Sequence, residues 1–325
     1  MRTHGLVLGK FLPPHAGHRY LINFAQAYVD ELSVVVGTLK NESIPGALRH
    51  HWMSQLFPQA RVLHLQDENP QDPSEHPDFW NIWRNSLQRI LPSKITHVFA
   101  SEAYGARLAT ELGATFIPVD IGRQNLPISG TQIRQNPWAA WSYLPPIVRP
   151  YFLQRICVFG PESTGKSKLA NNLAKHYKST CVSEYARTWL EHKQGQMTPA
   201  DIEVIARGQL AAEEALAPIA NRRLFCDTDL LTTHIWSNFV YGSCPDWITT
   251  EAQKRHYDLT LLLDVDVPYV DDIVRYLPDE RRGFFERCEQ ALIDNERPYV
   301  VIQGNWQQRF AAACDAIDAL GEHHD

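Results

Sequence analysis

The sequence predicts an α/β protein made of two domains in tandem, each with a buried parallel sheet. In both halves of the 325 residues, short apolar runs alternate with helical stretches, which is typical of βαβ units. A proline-dense stretch interrupts this alternation near residue 150. The length also fits roughly two domains of ordinary size. We therefore expect domains at 1–150 and 151–325.

The first domain is predicted to contain five strands. β-prone apolar runs indicate strands at 6–9, 32–36, 60–65, 95–100 and 114–119. Helices are expected between them, for example at 17–29 and 79–91. The segment 66–78 holds three prolines among many polar residues, so it is predicted to be a surface loop.

The connector and the second domain follow in the same way. Residues 136–155 combine four prolines with several aromatic residues, which indicates a packed connector rather than a loose tether. Strands are then predicted at 155–160, 179–183, 224–227, 259–264 and 299–303. Predicted helices include 166–176, 199–216 and 283–295.

Composition and charge exclude several classes of protein. The formal net charge of −6 argues against a nucleic-acid binder, which usually carries a basic face. No apolar run approaches the roughly 18 residues needed to span a bilayer, so we expect no membrane partner. The N-terminus leads directly into a strand-like run, and the six cysteines show no C-x-x-C pair. We therefore expect a cytoplasmic protein, and leave its oligomeric state open.

The strongest motif opens the second domain. Residues 160–167, GPESTGKS, fit the pattern G-x-x-x-x-G-K-[ST] between a predicted strand and a helix, which is the context of a P-loop. Backbone N–H groups of such a loop surround phosphate, the lysine reaches the β- and γ-phosphates, and the hydroxyl binds Mg²⁺. The alternative is a glycine turn that happens to carry lysine. The predicted ATP contacts here are Gly160, Glu162, Ser163, Thr164, Gly165, Lys166 and Ser167.

Acidic residues at two strand ends are candidates for the remaining chemistry of this half. Asp227 and Asp229 follow one strand, while Glu184 and Arg187 follow another. An acid facing a P-loop serves Mg²⁺ or activates an acceptor hydroxyl, although aspartate is also a common turn residue. We expect Ser167 and Asp227 to hold the metal. The candidates for the acceptor site are Glu184, Arg187, Asp227 and Asp229. Among the three acids, Asp227 is favoured as the base.

A basic segment follows the fourth strand of this half. Arg275, Arg281 and Arg282 are predicted to close over the transferring phosphoryl group as a lid, because arginines stabilise charge on its equatorial oxygens. The alternative is a solvated face paired with neighbouring acids, namely Asp271, Asp272, Asp279 and Glu280.

The first half carries two further motifs. Residues 9–18 read GKFLPPHAGH, and residues 128–134 read ISGTQIR. By themselves, His15 and His18 could be metal ligands or surface histidines, although no carboxylate completes a metal set. As a pair the motifs resemble the nucleotidylyltransferase superfamily, with H-x-G-H after the first strand and I-S-x-T-x-x-R near the last. The matching positions are His15, Gly17, His18, Ile128, Ser129, Thr131 and Arg134.

The resemblance implies attack of an acceptor phosphate on the α-phosphorus of ATP, with pyrophosphate leaving. His15 and His18 would donate hydrogen bonds to phosphate oxygens, and Gly17 would allow close backbone approach. Ser129, Thr131 and Arg134 would hold the leaving phosphates. Further implied ATP contacts are Gly9, Lys10 and Phe11.

Tryptophans supply candidates for the acceptor base. In pyridine-nucleotide members of this superfamily an aromatic ring stacks on the cationic nicotinamide, which points to Trp80 or Trp83. The alternative is that both are core residues, and Trp52 is mainly expected to pack.

The order of the motifs along the chain is similar to that of the NadR family, in which a nicotinamide mononucleotide (NMN) adenylyltransferase is fused to a ribosylnicotinamide kinase. The resemblance implies a Rossmann-like nucleotidylyltransferase domain followed by a P-loop kinase domain, with Mg²⁺ and with ATP as co-substrate. The kinase half would convert nicotinamide riboside to NMN, and the other half would adenylate NMN to NAD. The small-molecule partners would be ATP, nicotinamide riboside, NMN and NAD.

Two departures from the family and two alternatives remain. Enterobacterial members begin with a helix-turn-helix repressor segment, whereas a strand is predicted from Gly5 here, so we expect neither that segment nor repression. The segment 271–273 reads DDI where relatives often have glycine, and isoleucine in place of glycine would stiffen the lid segment. The alternatives are a sulfurylase/adenylylsulfate kinase-like fusion and a regulatory protein that senses ATP and NAD.

Overall fold

The computed structural model describes residues 2–272 and 279–321. Two compact units divide this part of the chain between Val148 and Arg149. Among the described residues, no helix is both long and apolar enough to span a membrane.

The first unit is a five-stranded parallel sheet with helices on both faces, in the strand order β3-β2-β1-β4-β5. Its elements are β1 (His4–Gly9), α1 (Ala16–Tyr28), β2 (Glu31–Gly37), α2 (Gly46–Leu56), β3 (Arg61–Leu65), α3 (Phe79–Ile90), β4 (His97–Ala100), α4 (Tyr104–Leu112), β5 (Thr115–Pro118) and α5 (Gly130–Gln135).

Alternating residues of the central strands build a core on each face of this sheet. Val7 and Val34 belong to one cluster, with Ile22 of α1. Leu6 belongs to the opposite cluster, with Leu108 of α4. Because both faces are covered, the strands are continuously apolar, as a buried parallel sheet requires.

The second unit repeats this architecture with another strand order, β10-β9-β6-β8-β7, again entirely parallel. Its elements are β6 (Gln154–Phe159), α6 (Lys166–His176), β7 (Thr180–Val182), α7 (Tyr185–His192), α8 (Pro199–Leu216), β8 (Arg223–Asp227), α9 (Leu230–Tyr241), α10 (Asp246–Lys254), β9 (Leu259–Leu263), α11 (Arg281–Asp294), β10 (Tyr299–Ile302) and α12 (Trp306–Asp318).

The predicted fold class, two tandem parallel-sheet α/β domains, is confirmed. Each unit places its first strand in the middle of its sheet, and the order of the strands reverses direction there. Ligands of such sheets bind at the carboxyl ends of the strands beside this reversal. In the connector, Trp138 and Trp141 are buried, whereas the loop at 66–78 is mainly exposed.

Candidate active sites

A cleft of about 640 Å³ in the first unit gathers the residues that the two motifs of this half singled out. It lies beside the segments that follow β1 and precede α5. Both tryptophan candidates line it as well. The predicted residues brought together here are Gly9, Lys10, Phe11, His15, Gly17, His18, Trp80, Trp83, Ile128, Ser129, Thr131 and Arg134.

His15 and His18 form a stacked pair at the N-terminus of α1, with ring centroids 3.7 Å apart. His15 caps this helix, since its Nδ1 accepts the Gly17 N–H at 3.1 Å. Burial, and secondarily the charge of Arg123, lowers the pKa of His15 to about 4. Burial and the neighbouring His15 also lower the pKa of His18 well below its usual value. Both rings are therefore neutral at pH 7, and Nε2 of His15 carries its proton.

Two glycines allow the backbone to come close in this cleft. A Cβ at Gly17 would lie 2.9 Å from Cε1 of the His15 ring, so glycine leaves room for the capping imidazole. A Cβ at Gly130 would lie 2.5 Å from the Leu12 carbonyl oxygen. The loop after β1 therefore packs directly on the first turn of α5.

The second motif is organised around the start of α5. Ser129 is the N-cap, and its hydroxyl accepts the Gln132 N–H in a capping box. Arg134 donates to the Leu12 carbonyl at 2.5 Å and to the Thr131 hydroxyl at 3.3 Å. These contacts place a guanidinium and a helix N-terminus, both favourable for anions, in the same cleft as the histidines.

Sequence reasoning missed a buried ion-pair network behind this cleft. Arg49 is fully buried, pairs with Glu42, and donates to the carbonyls of Lys10 and Ile44. Glu42 in turn pairs with the Lys10 ammonium at 3.2 Å. The network holds the backbone and the charge of Lys10 in the cleft. No motif marks Arg49, because a lone arginine on a helix is usually exposed.

Arg123 is a second cation that the sequence did not single out. It lines the cleft, and its charge contributes to the lowered pKa of both histidines. Its guanidinium pairs with Glu102 at 3.0 Å.

The positions of the two tryptophan candidates are compatible with both of the roles considered for them. Trp80 and Trp83 line the cleft and also pack on the apolar cluster beneath it. The Trp83 indole N–H donates to the Pro70 carbonyl at 2.9 Å, while the Arg107 guanidinium lies over the Trp80 ring. Trp52 is buried as a packing residue, outside the lining of the cleft.

A second cavity, of about 350 Å³, lies against the P-loop in the other unit. Its lining combines polar residues of the P-loop with apolar side chains, among them Leu190, Ile202 and Ile205. The predicted residues that line it are Gly160, Glu162, Ser163, Gly165, Lys166, Ser167, Glu184 and Arg187.

The P-loop has the backbone geometry that its glycines predict. Gly160 and Gly165 have φ of +128° and +88°, where a Cβ would be strained. The Lys166 ammonium donates to the Pro161 carbonyl at 2.8 Å, across the loop. Thr164 does not line this cavity, and its fully buried hydroxyl donates to the same carbonyl.

Asp227 ends β8, paired with β6, the strand that leads into the P-loop, and its carboxyl lies near the Ser167 hydroxyl. It is 2% exposed, and no described residue pairs with its Oδ1. Burial, followed by the charge of Glu184, raises the pKa of Asp227 to about 6. Of these two acids, Glu184 lines the cavity and Asp227 does not.

Asp229 differs from what the candidate list expects of it. Its carboxylate caps α9 by accepting the Thr232 N–H at 3.1 Å, and it forms a buried ion pair with Arg297. Asp229 is 1% exposed and does not line the cavity. The structure therefore gives Asp229 a structural role rather than a place in the acceptor site.

Two of the predicted lid arginines, Arg281 and Arg282, lie in the described part of the chain, and both contact other residues of the protein. Arg281 donates to the Ser163 carbonyl at 3.2 Å, which ties the start of α11 to the P-loop. Arg282 is exposed and pairs with Asp264 at 2.8 Å. An exposed ion pair fits the alternative of a solvated face, although Asp264 is not one of the neighbouring acids expected as partners. Arg275 lies outside the described residues. Asp272, one of the acids considered for that face, instead lines the cavity and pairs with Arg187 at 3.0 Å.

Two residues of α12, the last helix, also contact the P-loop. The ring of Trp306 lies where a Cβ at Gly165 would stand, at a distance of 2.5 Å. Arg309, which is buried, donates to the Thr164 carbonyl. Neither residue belongs to a recognisable motif, so sequence reasoning missed both.

Comparisons with known proteins match both units. A family profile described as an AAA domain matches residues 155–309. The chain is 29% identical to the "Trifunctional NAD biosynthesis/regulator protein NadR" of Escherichia coli strain K12, over 99% of this chain and 84% of that protein. The protein of the same name from Salmonella typhimurium strain LT2 is also 29% identical, over 98% of this chain and 83% of that protein.

Solved structures show the same two-unit fold. A NadR protein in complex with NAD and AMP-PNP is 21% identical with a TM-score of 0.80, and covers 100% of this chain and 98% of its own. A NadR protein in complex with NR is 22% identical with a TM-score of 0.81 and the same coverage. The predicted resemblance to the NadR family is confirmed, whereas the expected absence of a DNA-binding segment stays a prediction.

Proposed function

Because this chain is similar to NadR proteins along nearly its whole length, we propose that it is a bifunctional enzyme of NAD salvage. The second unit phosphorylates nicotinamide riboside to NMN with ATP. The first unit adenylates NMN with ATP to give NAD and pyrophosphate.

One observation carries this proposal. Each unit has its own cavity, and in each the anion-binding groups stand at a helix N-terminus after the central strand. The two sets of groups differ: a P-loop with lysine in one unit, and neutral histidines with arginine in the other. That difference supports two phosphate chemistries rather than one site in duplicate.

In the kinase half, the 5′-hydroxyl oxygen of the riboside attacks the γ-phosphorus of ATP, and the bond to the β,γ-bridging oxygen breaks to release ADP. Glu184 is the better base, because it lines the cavity, whereas the buried Asp227 does not. This reverses the role that the sequence favoured for Asp227. Lys166 neutralises charge that develops on the phosphates.

The residues around Asp227 fit Mg²⁺. The Ser167 hydroxyl and the Asp227 carboxylate are adjacent hard oxygen donors, and Oδ1 of Asp227 has no partner among the described residues. The described part of the chain holds no cluster of three or more His, Cys, Asp or Glu side chains placed for a metal. This agrees with an ion held mainly by substrate phosphates, where it would neutralise phosphate charge.

In the transferase half, a phosphate oxygen of NMN attacks the α-phosphorus of ATP, and the bond to the α,β-bridging oxygen breaks. No covalent intermediate is required, so orientation and charge stabilisation supply the catalysis. Nε2–H of neutral His15 and the guanidinium of Arg134 donate to the phosphate oxygens. Trp80 or Trp83 provides the aromatic face for the pyridinium ring.

The test supplies ATP and Mg²⁺ with nicotinamide riboside, and separately with NMN, and identifies the products by mass spectrometry. We expect NMN and NAD from the riboside, and NAD with pyrophosphate from NMN. A parallel reaction with sulfate tests the sulfurylase-like alternative, and adenylylsulfate as its product would replace our proposal. Turnover of neither pyridine substrate would contradict it, and tight binding without turnover would favour a sensor.

A further inference from the structure

Gln209 is a buried polar residue of the kinase cavity for which the chemistry above has no use. It lies on α8, is 2% exposed, and lines the cavity with Ile202 and Ile205 of the same helix. An amide in an otherwise apolar helix face loses hydrogen bonds to water on burial, so each of its groups needs a partner.

Only one end of this amide is paired. Oε1 of Gln209 accepts the backbone N–H of Tyr185 at 3.0 Å. Since a backbone N–H can pair only with an acceptor, this bond determines which end of the amide is oxygen. No described residue accepts a hydrogen bond from the buried Nε2. An unused donor is therefore held in a known orientation in the wall of the cavity.

The packing around Gln209 keeps it in place. A Cβ at Gly208 would lie 2.1 Å from the Tyr185 ring, so glycine at this position lets α7 pack closely on α8. Tyr185 directly follows Glu184, the acid that faces the same cavity. Gln209 thus contacts the residue next to Glu184 and lies on the same helix as two of the apolar side chains that line the cavity.

From this placement we propose that Nε2 of Gln209 donates a hydrogen bond to an oxygen of the nucleoside acceptor, and so determines which acceptors the kinase half takes. The oxygen belongs either to the 2′- or 3′-hydroxyl of the ribose or to the carboxamide of the base, all of which offer a lone pair to a neutral donor. The proposal rests on the kinase activity proposed above. It makes Gln209 a specificity residue that contacts the substrate.

Two variants separate substrate recognition from support of Tyr185. Gln209→Glu keeps an acceptor for the Tyr185 N–H but removes the donor, while Gln209→Met removes both with little change in length. For both variants we expect the KM for nicotinamide riboside to rise about tenfold, the effect of one lost hydrogen bond. The KM for ATP and the adenylation of NMN by the other unit should stay unchanged. Gln253→Glu, at an exposed position, controls for the added charge.

The outcomes are distinct. An unchanged KM for the riboside in both variants would overturn the proposal. A wild-type KM in Gln209→Glu together with a raised KM in Gln209→Met would overturn it as well, because this result would mean that Gln209 only supports Tyr185. Wild-type protein that does not phosphorylate the riboside would instead contradict the proposed function itself.

Two analogues then identify the oxygen. If the carboxamide accepts the bond, wild type and Gln209→Glu should have equal KM values for 1-ribosylpyridinium, which lacks that group. If a sugar hydroxyl accepts it, the KM values should converge on the 2′- or 3′-deoxyriboside. A tenfold difference that persists on every analogue would mean that Nε2 contacts none of these oxygens, which would contradict the proposal.

Discussion

The guanidinium of Arg309 donates to the backbone carbonyl of Thr164 at 2.9 Å, although 145 residues separate the two along the chain. The same side chain donates to the carbonyls of Asp264 and Gly304, each at 2.9 Å, and pairs with the Asp266 carboxylate. One buried residue thus joins the P-loop to the ends of β9 and β10.

Arg309→Met should loosen the P-loop. Because several buried carbonyls would lose their donor, we expect the free energy of unfolding of the second unit to fall by about 2–4 kcal/mol. The KM for ATP in riboside phosphorylation should rise, with NMN adenylation unchanged. Denaturant unfolding and steady-state kinetics measure the two effects. Arg287→Met, at an exposed position of α11, is the control, and an equal loss there would contradict a specific role for Arg309.

The two activities should be separable by mutation. Lys166→Ala removes the cation of the P-loop, so phosphorylation of the riboside should fall by at least about 100-fold, while adenylation of added NMN persists. His18→Ala should give the opposite result. Mass spectrometry of each half-reaction measures both. Adenylation that survives His18→Ala at the wild-type rate would show that the transferase site is elsewhere.

Gly130 should not tolerate a side chain. In Gly130→Ala the new Cβ would meet the Leu12 carbonyl at 2.5 Å, so either α5 or the loop after β1 must move. We expect adenylation to fall at least about tenfold, since small displacements of positioned groups strongly reduce rates. Gly122→Ala is the matched control, because its Cβ would meet only the Gln124 side chain, at 3.5 Å. Equal activity of the two variants would contradict the close approach at Gly130.

His15 should stay neutral throughout the pH range in which the enzyme is assayed. Burial lowers its pKa to about 4, so the imidazole gains a proton only as the pH falls well below 6.5. In NMR spectra of the ligand-free protein, the His15 Cε1–H resonance, assigned with His15→Gln, should not shift between pH 8 and pH 5. The urea-unfolded chain, whose histidines titrate near 6.5, provides the reference. A midpoint near 6.5 in the folded protein would contradict this prediction.

Asp227→Asn should stabilise the second unit while abolishing its activity. The pKa of Asp227 is raised from 3.8 to about 6, so the folded state binds this proton more tightly than the unfolded state does. The stabilising contribution of the protonated form is complete below pH 4 and is lost as the pH rises through 6. The variant stays neutral, so its Tm at pH 8 should exceed that of wild type by about 6–12 °C.

The pH dependence provides the internal control for this prediction. At pH 4 the two proteins should melt at nearly the same temperature, because Asp227 is then protonated in folded wild type and only about half ionised in the unfolded chain. Calorimetry at the two pH values measures the difference. A lower Tm for Asp227→Asn at pH 8 would mean that the carboxylate stabilises the fold.

The alternating architecture and both phosphate motifs were predictable from sequence, because they depend on local physics. Glycine at positions 160 and 165 reflects positive φ, and apolar runs reflect strands buried on both faces. Such signals are contained within a few neighbouring residues.

What the sequence could not show depends on distant partners. Asp227 and Asp229 are two residues apart at one strand end and are equivalent as sequence signals. They differ because Arg297, 68 residues from Asp229, pairs with that acid, while Asp227 meets Ser167. Similarly, the role of Arg309 depends on its bond to the Thr164 carbonyl in the P-loop. The role of Gln209 on α8 depends on its bond to the Tyr185 N–H on α7.

Each phosphate loop leaves the strand with neighbours on both sides, β1 in one unit and β6 in the other. Such a strand is among the last parts of a unit to lose its amide protection, because both edges must detach before it opens. Neither loop can then be lost by fraying at a sheet edge. On heating, the loss of each activity should therefore follow the global unfolding of its own unit. The kinase and adenylyltransferase assays then report the thermal unfolding of the two units separately.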